Sequence, residues 1–143
     1  SLEDFVYLFV LAFTYKYPNV ANLQSTFQNV PLEETSEERV YKNGFERSDI
    51  VELKVYNFIG PIKDEFDHSD RVAYEQKICI SFKDEIPEKA INDALDGCKY
   101  EKNKEGDSTI YTLEESPIAK LIMTDSSLEI EINEDKVHLY YVS

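Results

Sequence analysis

The chain has 143 residues, 42% hydrophobic and 13% aromatic, with 29 acidic against 15 basic side chains and a net charge of −14 at pH 7. That length suits one domain and that apolar fraction fills a core, so the composition speaks against a disordered or low-complexity chain. The charge disfavours direct binding to nucleic acid or to an anionic membrane, and it suits either a basic partner or plain solubility.

The opening stretch SLEDFVYLFVLAFTYKYP predicts a helix. Ser1 and Asp4 form a capping pair, Glu3 and Asp4 suit a helix N-terminus, and Pro18 sets the end by Tyr17. Apolar residues fill every face from Phe5 to Phe13, so the helix is expected to be buried all round or to cover a sheet. The run is shorter than the roughly 20 residues that cross a bilayer, so no membrane insertion is expected. Acidic residues precede it, which makes it a poor signal peptide. The first residue is Ser rather than Met, as expected of a processed protein, a fragment or a trimmed chain. The compartment stays open, with the cytoplasm slightly favoured over export with a cleaved leader. Leu23 and Phe27, four apart, suggest a second short helix. Thr35 with Glu38 reads as the capping box of another, with Gly44 as its stop.

The apolar period then changes from helical to alternating. Val51, Leu53 and Val55 fall on one face, with Ile50, Tyr56 and Phe58 on the other. Val72, Tyr74, Ile78, Ile80 and Phe82 alternate with Ala73, Glu75, Lys77, Cys79, Ser81 and Lys83. These two runs predict half-buried antiparallel strands joined as a hairpin with a long connection. DEIPEKAINDALDGC predicts a helix with Pro87 in its first turn, a stripe of Ile86, Ala90, Ile91, Ala94 and Leu95, and Gly97 as the stop. Beyond it, strands centre on 99–102, 109–113, 119–123, 128–132 and 137–141, with turns at NKEGD, EESP, TDSS and NED. The expected fold is one α+β domain over residues 1–143. Its N-terminal helices and one mid-chain helix pack on a mainly antiparallel, meander-type sheet.

Chemistry-bearing residues are sparse. The connection GPIKDEFDHSDR, Gly60 to Arg71, gathers Asp64, Glu65, Asp67, His68 and Asp70. Clustered carboxylates attract hard cations, but the spacing lacks the alternate ligands, central Gly and distant Glu of an EF-hand loop. A transition-metal site would want more His or Cys, and His138 is the other histidine. A solvated hairpin tip is therefore the expectation, and no metal or cofactor is assigned. Cys79 and Cys98 match neither a CxxC nor a Cys/His pattern; their separation suits free thiols or one disulfide. Neither has a nucleophile's local pattern beside a histidine base, so no catalytic residue is assigned. The four glycines are isolated, so no phosphate-cradling loop is present. Adjacent carboxylates such as EE and DE follow from composition and carry little specificity.

The ten tyrosines fit either core edges or interface contacts. The C-terminal KVHLYYVS reads as a strand able to pair with a partner. Three functions follow from these features. The leading one is a non-enzymatic acidic interaction module, of the inhibitor or immunity type, that neutralises a basic protein partner through Asp64, Glu65, Asp67, Asp70 and Tyr140. The second is an exported or surface-exposed structural or ligand-binding domain of a larger protein. The third is a metal-dependent hydrolase using the Asp64–Asp70 loop.

Overall fold

A computed structural model describes residues 1–14, 33–42, 45, 48–61, 71–115 and 119–132, the backbone alone at 57–61, 71–76 and 132. Among these residues two helices, α1 (Leu2–Thr14) and α2 (Glu88–Ala94), pack on an eight-stranded sheet. The strands are β1 (Glu33–Glu34), β2 (Glu38–Tyr41), β3 (Ile50–Pro61), β4 (Arg71–Phe82), β5 (Tyr100–Glu105), β6 (Ser108–Leu113), β7 (Ala119–Met123) and β8 (Ser127–Ile132). Their order is β1-β2-β3-β4-β8-β7-β6-β5, and every pairing is antiparallel. The α+β expectation holds, as two meanders. The first runs outward to inward as β1–β4. The chain then crosses through α2 to the far edge and returns as β5–β8, so that β8 seals against β4.

The core follows from strand alternation. One cross-strand row runs Val55, Ile78, Ile130, Leu121, Tyr111, and the next holds Tyr41, Leu53, Ile80, Leu128 and Met123. All but Met123 are buried, and Met123 packs against the same cluster. Phe5, Val6, Phe9, Val10 and Phe13 of α1 cover this face, with Ala90, Ile91, Ala94 and Leu95 from the α2 region. Phe5 meets Phe82 edge-on, with ring centroids 5.9 Å apart. Each such side chain contributes about 1.5–3 kcal/mol by leaving water. The second face of the sheet is largely polar: its alternate positions carry Glu52, Lys54, Lys77, Glu129, Glu131 and Lys120, with Ile110 and Ile122 paired among them. Lys77 pairs with Glu129 at 3.9 Å, Lys54 with Glu52 at 3.8 Å and Lys120 with Glu131 at 4.0 Å.

Several expectations hold in detail. Ser1 caps α1: its Oγ accepts from the Asp4 N–H at 3.2 Å and donates to the Asp4 carboxylate at 3.0 Å. The Ile86–Ala90–Ile91–Ala94–Leu95 stripe is buried. Gly97 follows α2 with φ +80°, the left-handed turn that glycine adopts most readily.

Three local readings are corrected. Residues 33–41 form a hairpin, β1 with β2, and not a helix. The Thr35 hydroxyl does accept from the N–H groups of Glu37 and Glu38, at 3.3 and 3.0 Å, but it closes a tight turn while Thr35 N–H donates to the Glu38 carbonyl at 2.8 Å. A threonine side chain stabilises such a turn by the same bonds it would use in a helix cap. In β3, a bulge between Ile50 and Glu52 breaks the alternation. Val51 is thereby turned out, 45% exposed, while Ile50 joins Leu53 and Val55 in the core. A second irregularity skips Gln76 opposite Tyr56/Asn57, so the unbroken alternation from Val72 to Phe82 does not hold, although Ile78, Ile80 and Phe82 share the buried face. Of the two expectations for α1, the second holds: it covers the sheet with one side outward, Tyr7 being 36% and Leu8 59% exposed.

Candidate functional site

The residues expected to carry partner binding lie outside the described residues. That applies to Asp64, Glu65, Asp67, His68 and Asp70 in the connection after β3, and to His138 and Tyr140 near the C-terminus. The second helix around Leu23 and Phe27 and the strand at 137–141 also fall outside them. Among the described residues no group of three or more His, Cys, Asp or Glu is placed to hold a metal ion. No described helix is long and apolar enough to cross a membrane.

A different cleft stands at the end of the helical layer. It begins beyond the end of β4 at Phe82, where Pro87 fixes the approach to α2. Two backbone bonds dock this segment on the β7–β8 turn: Phe82 N–H donates to the Ser126 carbonyl and Ile86 N–H to the Asp125 carbonyl, each at 2.8 Å. The turn itself is closed by Thr124 N–H donating to the Ser127 carbonyl at 3.0 Å and by a hydroxyl–hydroxyl bond between the same two residues. Ile86 is thereby driven inward, while Glu85 and Glu88 on either side of it stay exposed.

The result is a shallow cleft of about 220 Å³ lined by Glu85, Ile86, Glu88, Met123, Thr124 and Asp125. Ile86 and Met123 give it an apolar floor, and three carboxylates stand at its rim. Small-molecule sites usually enclose about 300–1,000 Å³, so this cleft is closer to the size of one side chain. An apolar floor below carboxylates suits a long side chain with a methylene stem and a cationic head, as in lysine or arginine. The acidic surface continues from α2 onto α1. There Lys89 spans Asp93 at 2.8 Å and Glu3 at 3.6 Å, tying the two helices together through exposed groups.

The polar face of the sheet is the other titratable region. Cys79 sits between Lys54 on β3 and Glu129 on β8. Burial first, and then the charge of Glu129, pushes its thiol from 9.0 up to about 11. Burial also raises Glu129 above the ordinary carboxylate range, opposed by Lys77. Lys77 Nζ lies 4.4 Å from the centre of the Tyr56 ring. Both cysteines are free thiols, with Cys98 packed at the margin of the core on the helical side. The neutral, half-buried Cys79 thiol is a weak nucleophile at physiological pH.

Comparison with family models, with curated proteins and with solved structures finds no match. The functional reading therefore rests on the geometry. Sequence reasoning missed the cleft because Glu85 and Glu88 meet Asp125 only through the docking of a distant turn. The available signal was a helix-start proline between carboxylates, which is common at exposed helix starts.

Proposed function

We propose that this chain is a non-enzymatic protein-interaction module that binds a basic partner, acting as an inhibitor or immunity-type neutraliser. The observation that supports the reading best is the cleft in which Glu85, Glu88 and Asp125 surround Ile86 and Met123. A lysine or arginine of the partner enters it, its stem on the apolar floor and its head among the carboxylates. The net charge of −14 speeds encounter with a cationic surface and makes association sensitive to salt. The carboxylates then occupy the basic groups that the partner would otherwise offer to its own anionic substrate.

Titration calorimetry with short arginine- and lysine-containing peptides, at low and at high salt, tests this. Binding that weakens as salt rises and disappears in E85Q/E88Q/D125N is the expected result. Binding of equal strength in that variant ends the assignment of the cleft. No binding of any basic peptide at low salt ends the electrostatic reading as a whole.

A further inference from the structure

The far edge of the sheet carries a second recognition feature, separate from the cleft. Among the described residues β5 pairs with β6 on one side and ends the strand order, and all six of its residues are exposed. The Lys99 carbonyl accepts from Glu114 N–H at 3.0 Å. In an antiparallel ladder the bonded residues alternate, so 99, 101, 103 and 105 turn their backbone groups to β6. The N–H and C=O groups of Tyr100, Lys102 and Lys104 consequently point outward, offering another strand a ready ladder. On the helix-side face the edge presents Tyr100, Lys102 and Lys104, and on the opposite face Glu101, Asn103 and Glu105.

The charges Glu101, Lys102, Lys104 and Glu105 are mirrored about Asn103, and this pattern discriminates among occupants. A second copy continuing the sheet antiparallel, with faces matched, has two registers of greatest overlap. One sets Lys102 against itself, with Lys99 opposite Glu105 at either end. The other sets Lys102 against Lys104 and Glu101 against Glu105. Like charges directly opposite are destabilising, so each register of a second copy carries a like-charge clash. A strand of alternating charge fits in full, with bases opposite Glu101 and Glu105 and acids opposite Lys102 and Lys104. A cleft of about 210 Å³ lined by Glu101, Thr112, Leu113 and Glu114 opens beside the edge. It offers a basic side chain opposite Glu101 a second carboxylate.

We infer that β5 is a strand-addition site for an extended segment of another protein in which basic and acidic residues alternate. Main-chain bonds to Tyr100, Lys102 and Lys104 supply affinity, and the charge alternation supplies register and selectivity.

The probe is a short capped peptide of strictly alternating lysine and glutamate, compared with a peptide of the same composition in two blocks. Amide exchange is followed by NMR. The expected result is protection of the Tyr100, Lys102 and Lys104 amides by the alternating peptide only, retained in E85Q/E88Q/D125N, which separates this edge from the cleft. Lys102→Pro removes an outward donor without touching the β5–β6 ladder, and it is expected to abolish binding with an unchanged circular dichroism spectrum. Equal binding of the block peptide, or protection elsewhere, overturns the inference. K104E/E105K keeps the net charge but breaks the mirror pattern, so that Glu101 and Lys102 each meet an opposite charge on a second copy. This variant is expected to dimerise in sedimentation, and a strictly monomeric variant overturns the assignment even if Lys102→Pro fails to fold.

Discussion

The N–H of Ile86 donates to the carbonyl of Asp125 across 2.8 Å, and this bond joins the segment leaving β4 to the turn between β7 and β8. It fixes Ile86 as a floor and leaves Glu85, Glu88 and Asp125 around it. Ile86 is thus buried and held by the fold, whereas the three carboxylates around it are exposed.

The division is measurable. E85Q/E88Q/D125N changes only exposed groups, so its unfolding free energy is expected to stay within about 0.5 kcal/mol of the parent, while basic-peptide binding is lost. Ile86→Ala has the reverse emphasis: it is expected to cost about 2–4 kcal/mol by emptying a buried site. Urea denaturation followed by calorimetry on the same samples separates the two effects.

Cys79 gives a pH prediction. Its folded-state value of about 11 stands above the ordinary 9.0, so between these values the native state holds a proton that the unfolded state has released. Stability from this group is fully present below pH 9.0 and is lost as pH rises towards about 11. Relative to the parent, Cys79→Ala is expected to lose that part of the alkaline decline. In Cys98→Ser, alkylation of the remaining thiol is expected to be slow at neutral pH and to accelerate through the same window.

Glu129 follows the same sign with a carboxylate. Burial raises its folded-state value above the ordinary 4.5, so its ionised form is disfavoured in the native protein, and its contribution declines as pH rises above 4.5. Glu129→Gln is expected to be neutral to stabilising at pH 7 in spite of the lost contact with Lys77, and this difference is expected to shrink in acid. Denaturation midpoints across the acidic range, for parent and variant, test both statements.

The β5–β6 turn has Gly106 at φ +59°, followed by Asp107 at negative φ, the order of signs of a type II′ hairpin turn. A Cβ at Gly106 would meet nothing within 4 Å, so the cost of Gly106→Ala is conformational. About 1–2 kcal/mol is expected from the left-handed backbone, and a comparable loss from Gly97→Ala, where φ is +80° and the space is equally open. Thermal unfolding of the two variants checks this, and a loss far above that range would point to a packing role for either glycine.

The architecture was largely legible from alternation and punctuation. The β3–β4 hairpin, the strands at 109–113, 119–123 and 128–132 and the α2 stripe all have apolar periods that agree with their turn residues. The errors have physical causes. Thr35 offers the same hydroxyl bonds to a hairpin turn as to a helix start. The bulge at Val51 depends on β3 meeting β4, which local pattern cannot reveal. β5 runs on to Glu105, past the expected 99–102, because an edge strand tolerates charged residues that an interior strand does not. The cleft was not legible, since Asp125 reaches Glu85 only through tertiary docking. The proposed contacts at Asp64, Glu65, Asp67, Asp70 and Tyr140 belong to segments outside the described residues.

The pairing of β4 with β8 has a consequence for biosynthesis. Ile78 and Ile80 find their sheet neighbours, Ile130 and Leu128, only after α2 and three further strands have been made. A nascent chain that has completed β3 and β4 therefore leaves the ribosome with one long side of its hairpin unsatisfied. Contacts so distant in sequence form slowly, because loop closure precedes their reward. The interval before β8 arrives is when this polypeptide is most exposed to mispairing, and destabilising β8 would lengthen that interval rather than merely weaken the finished protein.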